Sequence, residues 1–149
     1  MTRKELVERA GRITPPSAES VREYQEKREL MVADVNRIMM NRPDLEKLIS
    51  RHNQAMMQDN HHNHALFMSS LFRDFNPAVL VNTVIWVFNT YLAHGFKPAY
   101  WPAQLNAWKE TMQKHMSKEA FDEIMPVYEF IVSHLPVFAQ LSRPDTPAV

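Results

Sequence analysis

The chain has 149 residues, a length typical of one domain that buries a substantial core without metals or disulfides. Lysine plus arginine equals aspartate plus glutamate, 17 each, so no excess of charge favours nucleic acid or a cationic partner. Cysteine is missing and glycine occurs only twice, which excludes thiolate catalysis, cysteine-based metal sites and glycine-rich phosphate loops. We expect a cytoplasmic protein, because the first residues contain no apolar signal segment.

The first long helix is predicted after an N-terminal arm over residues 1–16. The arm contains one short charged helix, which ends at Gly11 and a pair of prolines. Ser17 then suits an N-cap, and the helix that it starts reaches about Met40. An apolar stripe at heptad-like spacing predicts packing on the chain's own core, or pairing with a second copy in a homodimer. The stripe consists of Val21, Tyr24, Met31, Val35 and Ile38.

A histidine-rich run follows a break at residues 41–44 and a short helix over residues 45–51. It lies in a helix predicted from about Gln54 to Phe72, where apolar residues recur at spacings of four and three. Two imidazoles on this apolar face are expected to point inward, either as hydrogen-bonded core groups or as ligands. The face carries Met57, His61, His64, Met68 and Leu71.

The next segment is an almost wholly apolar helix. Asn76 and Pro77 suit its N-cap and first turn, and Gly95 suits the left-handed position that ends a helix. Two apolar rows predict burial on most sides. The run is shorter than the roughly 20 residues of a membrane span, so we expect no membrane partner. The first row consists of Leu80, Val84, Val87, Tyr91 and His94.

Two further helices complete the predicted fold. The first runs from about Trp101 to Met116, and Ser117 caps the second, which Pro126 is expected to kink or split. With no strand alternation, the fold class is all-α, with six to eight helices in a single domain over residues 17–141. Residues 142–149 have no period and are expected to form a flexible tail.

Catalytic motifs are missing from the sequence. There is no Glu-x-x-His, HExxH or Gly-x-Ser-x-Gly, so we expect no enzyme activity. A mononuclear metal site formed by His61, His64 and His94 is one alternative use of the histidines.

The segment YLAHGFKPAYWPAQLNAW, followed by KEAFDEIMPVYEFI, resembles the end of the proximal helix and the next two helices of bacterial globins and globin-like sensor domains. That family carries the pattern His-x-x-x-Gly-hydrophobic-x-Pro-x-x-Tyr. Gly95, Phe96, Pro98 and Tyr100 match it, with the tyrosine one place early. The resemblance covers about residues 54–139. It implies a globin-like domain that binds haem or another tetrapyrrole.

The sequence departs from this family at the iron ligand. Tyr91 stands four residues before Gly95, where the family has its iron-binding histidine, and His94 lies three residues later. Because tyrosine is a haem ligand in other folds, the resemblance implies Tyr91 or His94 as the metal ligand, with His61 or His64 on the opposite side. The phenylalanine that wedges against haem has no counterpart. These departures resemble globin-like sensors that bind no haem, such as the N-terminal modules of stressosome proteins, and helical segments before cobalamin-binding domains are also similar.

We therefore expect a bacterial regulatory or sensory domain with a pocket lined by histidine and tyrosine, which binds haem or another tetrapyrrole. The alternative is a haem-free helical interaction module that binds a small apolar ligand or none. Either version is expected to be a homodimer with a protein partner in a signalling pathway, and not to bind nucleic acid. The residues expected at the cofactor are His61, His64, Tyr91, His94, Met57, Met68, Val87 and Trp101.

Overall fold

Eight helices and no strand make up residues 1–142, the part of the chain that the computed structural model describes. The prediction of an all-α fold with six to eight helices is confirmed for this part. The flexible tail predicted over residues 142–149 lies outside the described residues, apart from Ser142. In chain order the helices are α1 (Arg3–Ala10), α2 (Ala18–Met40), α3 (Leu45–Ile49), α4 (Gln54–Arg73), α5 (Pro77–Ala93), α6 (Tyr100–His115), α7 (Lys118–Ser133) and α8 (Leu135–Leu141).

Side-chain caps that the sequence predicts fix the starts of α2, α5 and α7. The Ser17 hydroxyl accepts a hydrogen bond from the amide three residues later at 3.3 Å, and the Ser117 hydroxyl does the same at 3.2 Å. The Asn76 carboxamide oxygen accepts from two amides of the first turn of α5, at 3.0 and 3.2 Å. These amides have no partner within their own helix, so the caps satisfy them. All three predicted caps are confirmed.

The end of α5 is held against the connection between α3 and α4. Gly95 has φ = 95°, in the left-handed region, as predicted for the residue that ends this helix. The Ser50 hydroxyl donates to the Gly95 carbonyl at 2.7 Å, and the Asn53 amide donates to the His94 carbonyl at 2.8 Å. A Cβ on Gly95 would lie 3.3 Å from the Ser50 hydroxyl oxygen, so this close approach also favours glycine.

Of the two outcomes predicted at Pro126, a kink or a split, the split is not observed. Helix α7 continues through Pro126 because the proline lies on the exposed side, where solvent reaches the carbonyl that loses its partner. The chain bends at His134 instead, where α7 and α8 meet at 56°. Within residues 1–142, no single helix is both long enough and apolar enough to span a membrane. In this part of the chain only the bent pair of α7 and α8, taken together, meets both criteria.

The apolar stripe of α2 packs inside the chain. Helix α2 lies against α4, α6 and α7, and Tyr24, Met31 and Val35 are completely buried. Of the two alternatives for the stripe, docking on the chain's own core is therefore the one observed. A homodimer would need a different surface.

Helix α5 packs against α1 and α8 and leaves one face open. Its two predicted rows are largely buried, including Leu80 and Phe88. The predicted burial on most sides is confirmed, but the open face is not only polar: a third, uncharged row faces outward, and in it the Trp86 side chain is 64% exposed. This outer row consists of Val79, Asn82, Trp86, Asn89 and Ala93.

Candidate functional site

A cavity of about 330 Å³ lies between α4, α5 and α6. Its volume is at the lower end of the roughly 300–1,000 Å³ range of small-molecule pockets. Most of its wall is apolar, and among the described residues no Lys, Arg, Asp or Glu lines it. The polar side chains in the wall are Asn60, Asn63, His64, Thr83, Thr90, Tyr91 and Gln104.

The structure brings five of the eight predicted site residues together in this wall. They are His64, Met68, Val87, Tyr91 and Trp101. Met57 and His61 are completely buried but do not line the cavity. His94 is exposed at the C-terminus of α5, where its Nδ1–H donates to the Thr90 carbonyl at 2.8 Å. The four polar groups expected to converge therefore reduce to two, His64 and Tyr91.

His61 belongs to a buried hydrogen-bond network that joins α4 to α2 and α6. Its Nδ1 lies 2.6 Å from the Asn36 carboxamide oxygen, and its Nε2 lies 3.1 Å from the Tyr100 hydroxyl. The same hydroxyl donates to the Asn60 carboxamide oxygen at 2.8 Å. Burial lowers the pKa of His61 to about 3, so the ring is neutral near pH 7. The inward orientation of this histidine is structural.

His64 connects the cavity to a second buried network. Its Nε2 lies 2.8 Å from the Tyr128 hydroxyl, which lies 2.8 Å from the Tyr24 hydroxyl. The imidazole also contacts the Trp108 indole, with ring centroids 4.7 Å apart. Burial, with a smaller contribution from His61, lowers the pKa of His64 to about 3. The cavity therefore contains a neutral imidazole.

Aromatic rings form a flat part of the wall. Phe88 stacks on Trp101 with ring centroids 4.3 Å apart and planes at 8°, and Tyr91 meets Trp101 edge-on at 5.8 Å. Trp86 lies at the same cavity and is mostly exposed. Because Phe88 and Trp101 cover one face of each other, the wall meets a ligand with aromatic edges and outer faces, on which an aromatic ring packs edge-on or offset.

Sequence reasoning missed Trp86, Asn60 and Gln104 as cavity residues. The sequence held a signal for Gln104, because its spacing from Trp101 and Trp108 places a polar side chain in an apolar row of α6. In the structure Gln104 is only 1% exposed. A polar side chain in a buried row requires a partner or a function. For Trp86 the residue type was misleading, because a large aromatic side chain is usually buried in the core and is not expected at the open side of a cavity.

The hydrogen bonds of the histidines limit which side chains could bind the iron of a haem. Both ring nitrogens of His61 are hydrogen-bonded, His64 Nε2 is bonded to Tyr128, and His94 lies outside the cavity. Tyr91 remains as an axial group, but burial raises the pKa of its phenol and disfavours the phenolate that iron binds. Residues 1–142 contain no group of three or more His, Asp or Glu side chains placed to hold a metal ion. The residues present therefore suit a ligand held by packing and neutral hydrogen bonds better than one held by iron.

No family model matches the chain, and no curated protein or solved structure does so either. The fold and the cavity define the class: an all-α domain with a small, uncharged and largely apolar candidate binding site between α4, α5 and α6. The resemblance to globin-like sensor domains stays a prediction.

The variant His61→Leu is expected to lower the free energy of unfolding by about 2 kcal/mol, because it leaves the Asn36 carboxamide without its buried partner and takes one partner from the Tyr100 hydroxyl. Chemical denaturation followed by circular dichroism measures this loss. His62→Leu is the control, since His62 is exposed on the same helix and its change is expected to stay within about 0.5 kcal/mol. Equal stability of the two variants would contradict the role assigned to His61.

Proposed function

We propose that the chain is a haem-free regulatory or sensory module, and that its cavity between α4, α5 and α6 binds a small, uncharged, largely apolar molecule. One observation carries this proposal: a preformed cavity of about 330 Å³ with a stacked aromatic wall and only neutral polar groups. Such a combination of apolar surface with a few polar groups is typical of small-molecule sites.

Binding suits this cavity better than catalysis. Of the polar groups in the wall, His64 is the usual candidate for a general base. With its pKa lowered to about 3, it is far from the pH at which a histidine exchanges protons efficiently. The other polar groups are amides, threonine hydroxyls and a phenol whose pKa is raised by burial.

The rest of the proposal concerns context. The lack of cysteine agrees with the predicted cytoplasmic location, because proteins of that compartment rarely rely on disulfide bonds. A homodimer and a protein partner in signalling stay predictions. Because the α2 stripe is buried, neither of them is expected to use it.

A fluorescence titration with the neutral probe N-phenyl-1-naphthylamine tests the proposal. We expect saturable binding at one site, and we expect Val87→Trp to weaken it at least tenfold because the indole occupies the cavity that Val87 lines. The cavity has room for this ring, so the thermal midpoint should be kept. The control is Val79→Trp, which makes the same change on the outer row of α5, where Val79 is 45% exposed.

Two results would contradict the proposal. One is the lack of saturable probe binding to the wild-type chain, and the other is equal affinity in Val87→Trp. A haemin titration separates the tetrapyrrole alternative: we expect no Soret shift. A shift that is lost in Tyr91→Phe would favour tetrapyrrole binding instead, because Tyr91 is the axial group that lines the cavity.

A further inference from the structure

Proton positions in the network behind the cavity follow from its chemistry. Tyr24 is completely buried, and within residues 1–142 its hydroxyl has a single partner, the Tyr128 hydroxyl at 2.8 Å. A buried O–H that donates to nothing is more costly than an unused acceptor lone pair, so Tyr24 donates to Tyr128. Tyr128 then donates to His64 Nε2, at 2.8 Å. Because His64 is neutral, its one ring proton lies on Nδ1.

The Nδ1–H of His64 is a free donor at the cavity. Among the described residues it has no hydrogen-bond partner, and His64 is partly exposed and lines the cavity wall. The indole N–H of Trp101 also has no partner, but its nitrogen is fully buried and a bound molecule cannot reach it. His64 therefore presents a donor that a bound molecule can reach.

Gln104 supplies a second unpartnered group. The residue is only 1% exposed, its side chain lines the cavity, and none of the side-chain hydrogen bonds within residues 1–142 involves it. On α6 it lies between Tyr100, which is bonded to Asn60, and Trp108, which contacts His64. Residues one helical turn apart share a face, so Gln104 lies opposite the turn of α4 that carries His64. Buried amides are nearly always paired, so this carboxamide points to a missing ligand.

We infer, building on the proposed function, that the cavity selects uncharged planar molecules with a lactam edge, in which an N–H and a C=O lie side by side. The Gln104 carboxamide offers one donor and one acceptor, which match that edge with two hydrogen bonds. His64 Nδ1–H offers a further donor to the carbonyl. The ring of the ligand packs against the aromatic side chains of the cavity wall. Charged ligands are disfavoured, because no described residue of the wall carries an opposite charge.

The test compares two bicyclic probes of similar size, 2-quinolinone with a lactam edge and naphthalene without one. Each displaces N-phenyl-1-naphthylamine from the full chain, and we expect 2-quinolinone to bind about tenfold more tightly than naphthalene. Gln104→Met keeps the length of the side chain and removes both hydrogen-bonding groups. In this variant we expect the preference to fall below about threefold, while naphthalene binds at least as well as before.

Thr111→Val is the control, because Thr111 is also buried on α6 with an unpartnered hydroxyl but does not line the cavity. It should leave the preference at about tenfold. Equal binding of the two probes to the wild type overturns the lactam inference and leaves the proposed function intact. A preference that survives in Gln104→Met also overturns the inference. If the dye itself does not bind to the wild-type chain, the proposed function fails, and the lactam inference that rests on it fails as well.

Discussion

Val35→Glu is expected to destabilise the chain strongly. Val35 is completely buried in the stripe by which α2 packs against α4, α6 and α7. A carboxylate at this position loses its hydration and replaces apolar packing, which costs about 4 kcal/mol or more. Because domains of this size are stable by only about 5–15 kcal/mol, this loss is a large share of the total, and we expect the thermal midpoint of the helical circular dichroism to fall by about 10 °C or more.

The matched control is Leu30→Glu, which makes the same change on the same helix. Leu30 is 61% exposed, so this variant is expected to unfold within a few degrees of the wild type. A Val35→Glu variant that is monomeric in light scattering and keeps the thermal midpoint of the wild type would contradict the observed packing. It would mean that the stripe serves pairing between two chains, the alternative that its heptad-like spacing leaves open.

The helix starts could be predicted from the sequence because their causes are local. At Ser17, Asn76 and Ser117 a short polar side chain reaches amides two or three residues later, whatever the rest of the chain does. Gly95 is similar, since its left-handed backbone is a local requirement. Pro126 shows the limit of such reasoning. Whether a proline splits a helix depends on whether solvent or a neighbour meets the freed carbonyl, and that depends on the fold.

The cavity could be predicted only in part, because a helix face does not reveal which neighbour it meets. His61 and His64 were both correctly expected to point inward, and they lie only about 60° apart around α4. That angle is enough for His61 to meet Asn36 on α2 while His64 reaches the cavity. His94 shares the row of Tyr91 by spacing, but it lies just beyond the end of α5 and its ring turns back to the Thr90 carbonyl.

Trp86 and Gln104 reverse the usual relation between polarity and burial. The helices packed against α5 do not cover all of its apolar rows. One large aromatic residue, Trp86, therefore stays exposed beside the cavity. Gln104 is buried in an apolar row without a partner. Sites where local rules fail in this way are often functional ones, because binding surfaces need groups that a stable core does not.

The second large effect expected is a loss of stability in acid that begins well above the pH at which carboxylates become protonated. Burial lowers the pKa of His61 and of His64 from 6.5 to about 3. Below about pH 6.5 the unfolded chain therefore binds two protons that the folded chain does not bind. Stability is full above this pH and falls as the pH decreases towards 3, by up to about 1.4 kcal/mol per pH unit for each histidine. By pH 4.5 the loss is about 4–5 kcal/mol.

Paired carboxylates act in a different pH window. Hydrogen bonds from His115 and charges nearby lower the pKa of Asp34 from 3.8 to about 2, and contacts with Ser117 and Ser17 lower the pKa values of Glu23 and Glu123. A carboxylate with a depressed folded pKa contributes stability that is lost as the pH falls from its unfolded value towards its folded value, here below about 4.5. Between pH 6.5 and 4.5 the two buried histidines therefore dominate the shifts described.

His64→Gln separates the histidine contribution, because glutamine does not titrate and its amide can still accept a hydrogen bond from Tyr128. Urea denaturation at several pH values should show the slope between pH 6.5 and 4.5 falling from about 2.7 to about 1.4 kcal/mol per pH unit. The exposed His62→Gln variant should keep the wild-type slope. If His64→Gln kept it too, the imidazole would be protonated equally in the folded and unfolded chains. Its Nδ1 and Nε2 would then both carry protons below about pH 6.5, and the lowered pKa assigned to His64 would be wrong.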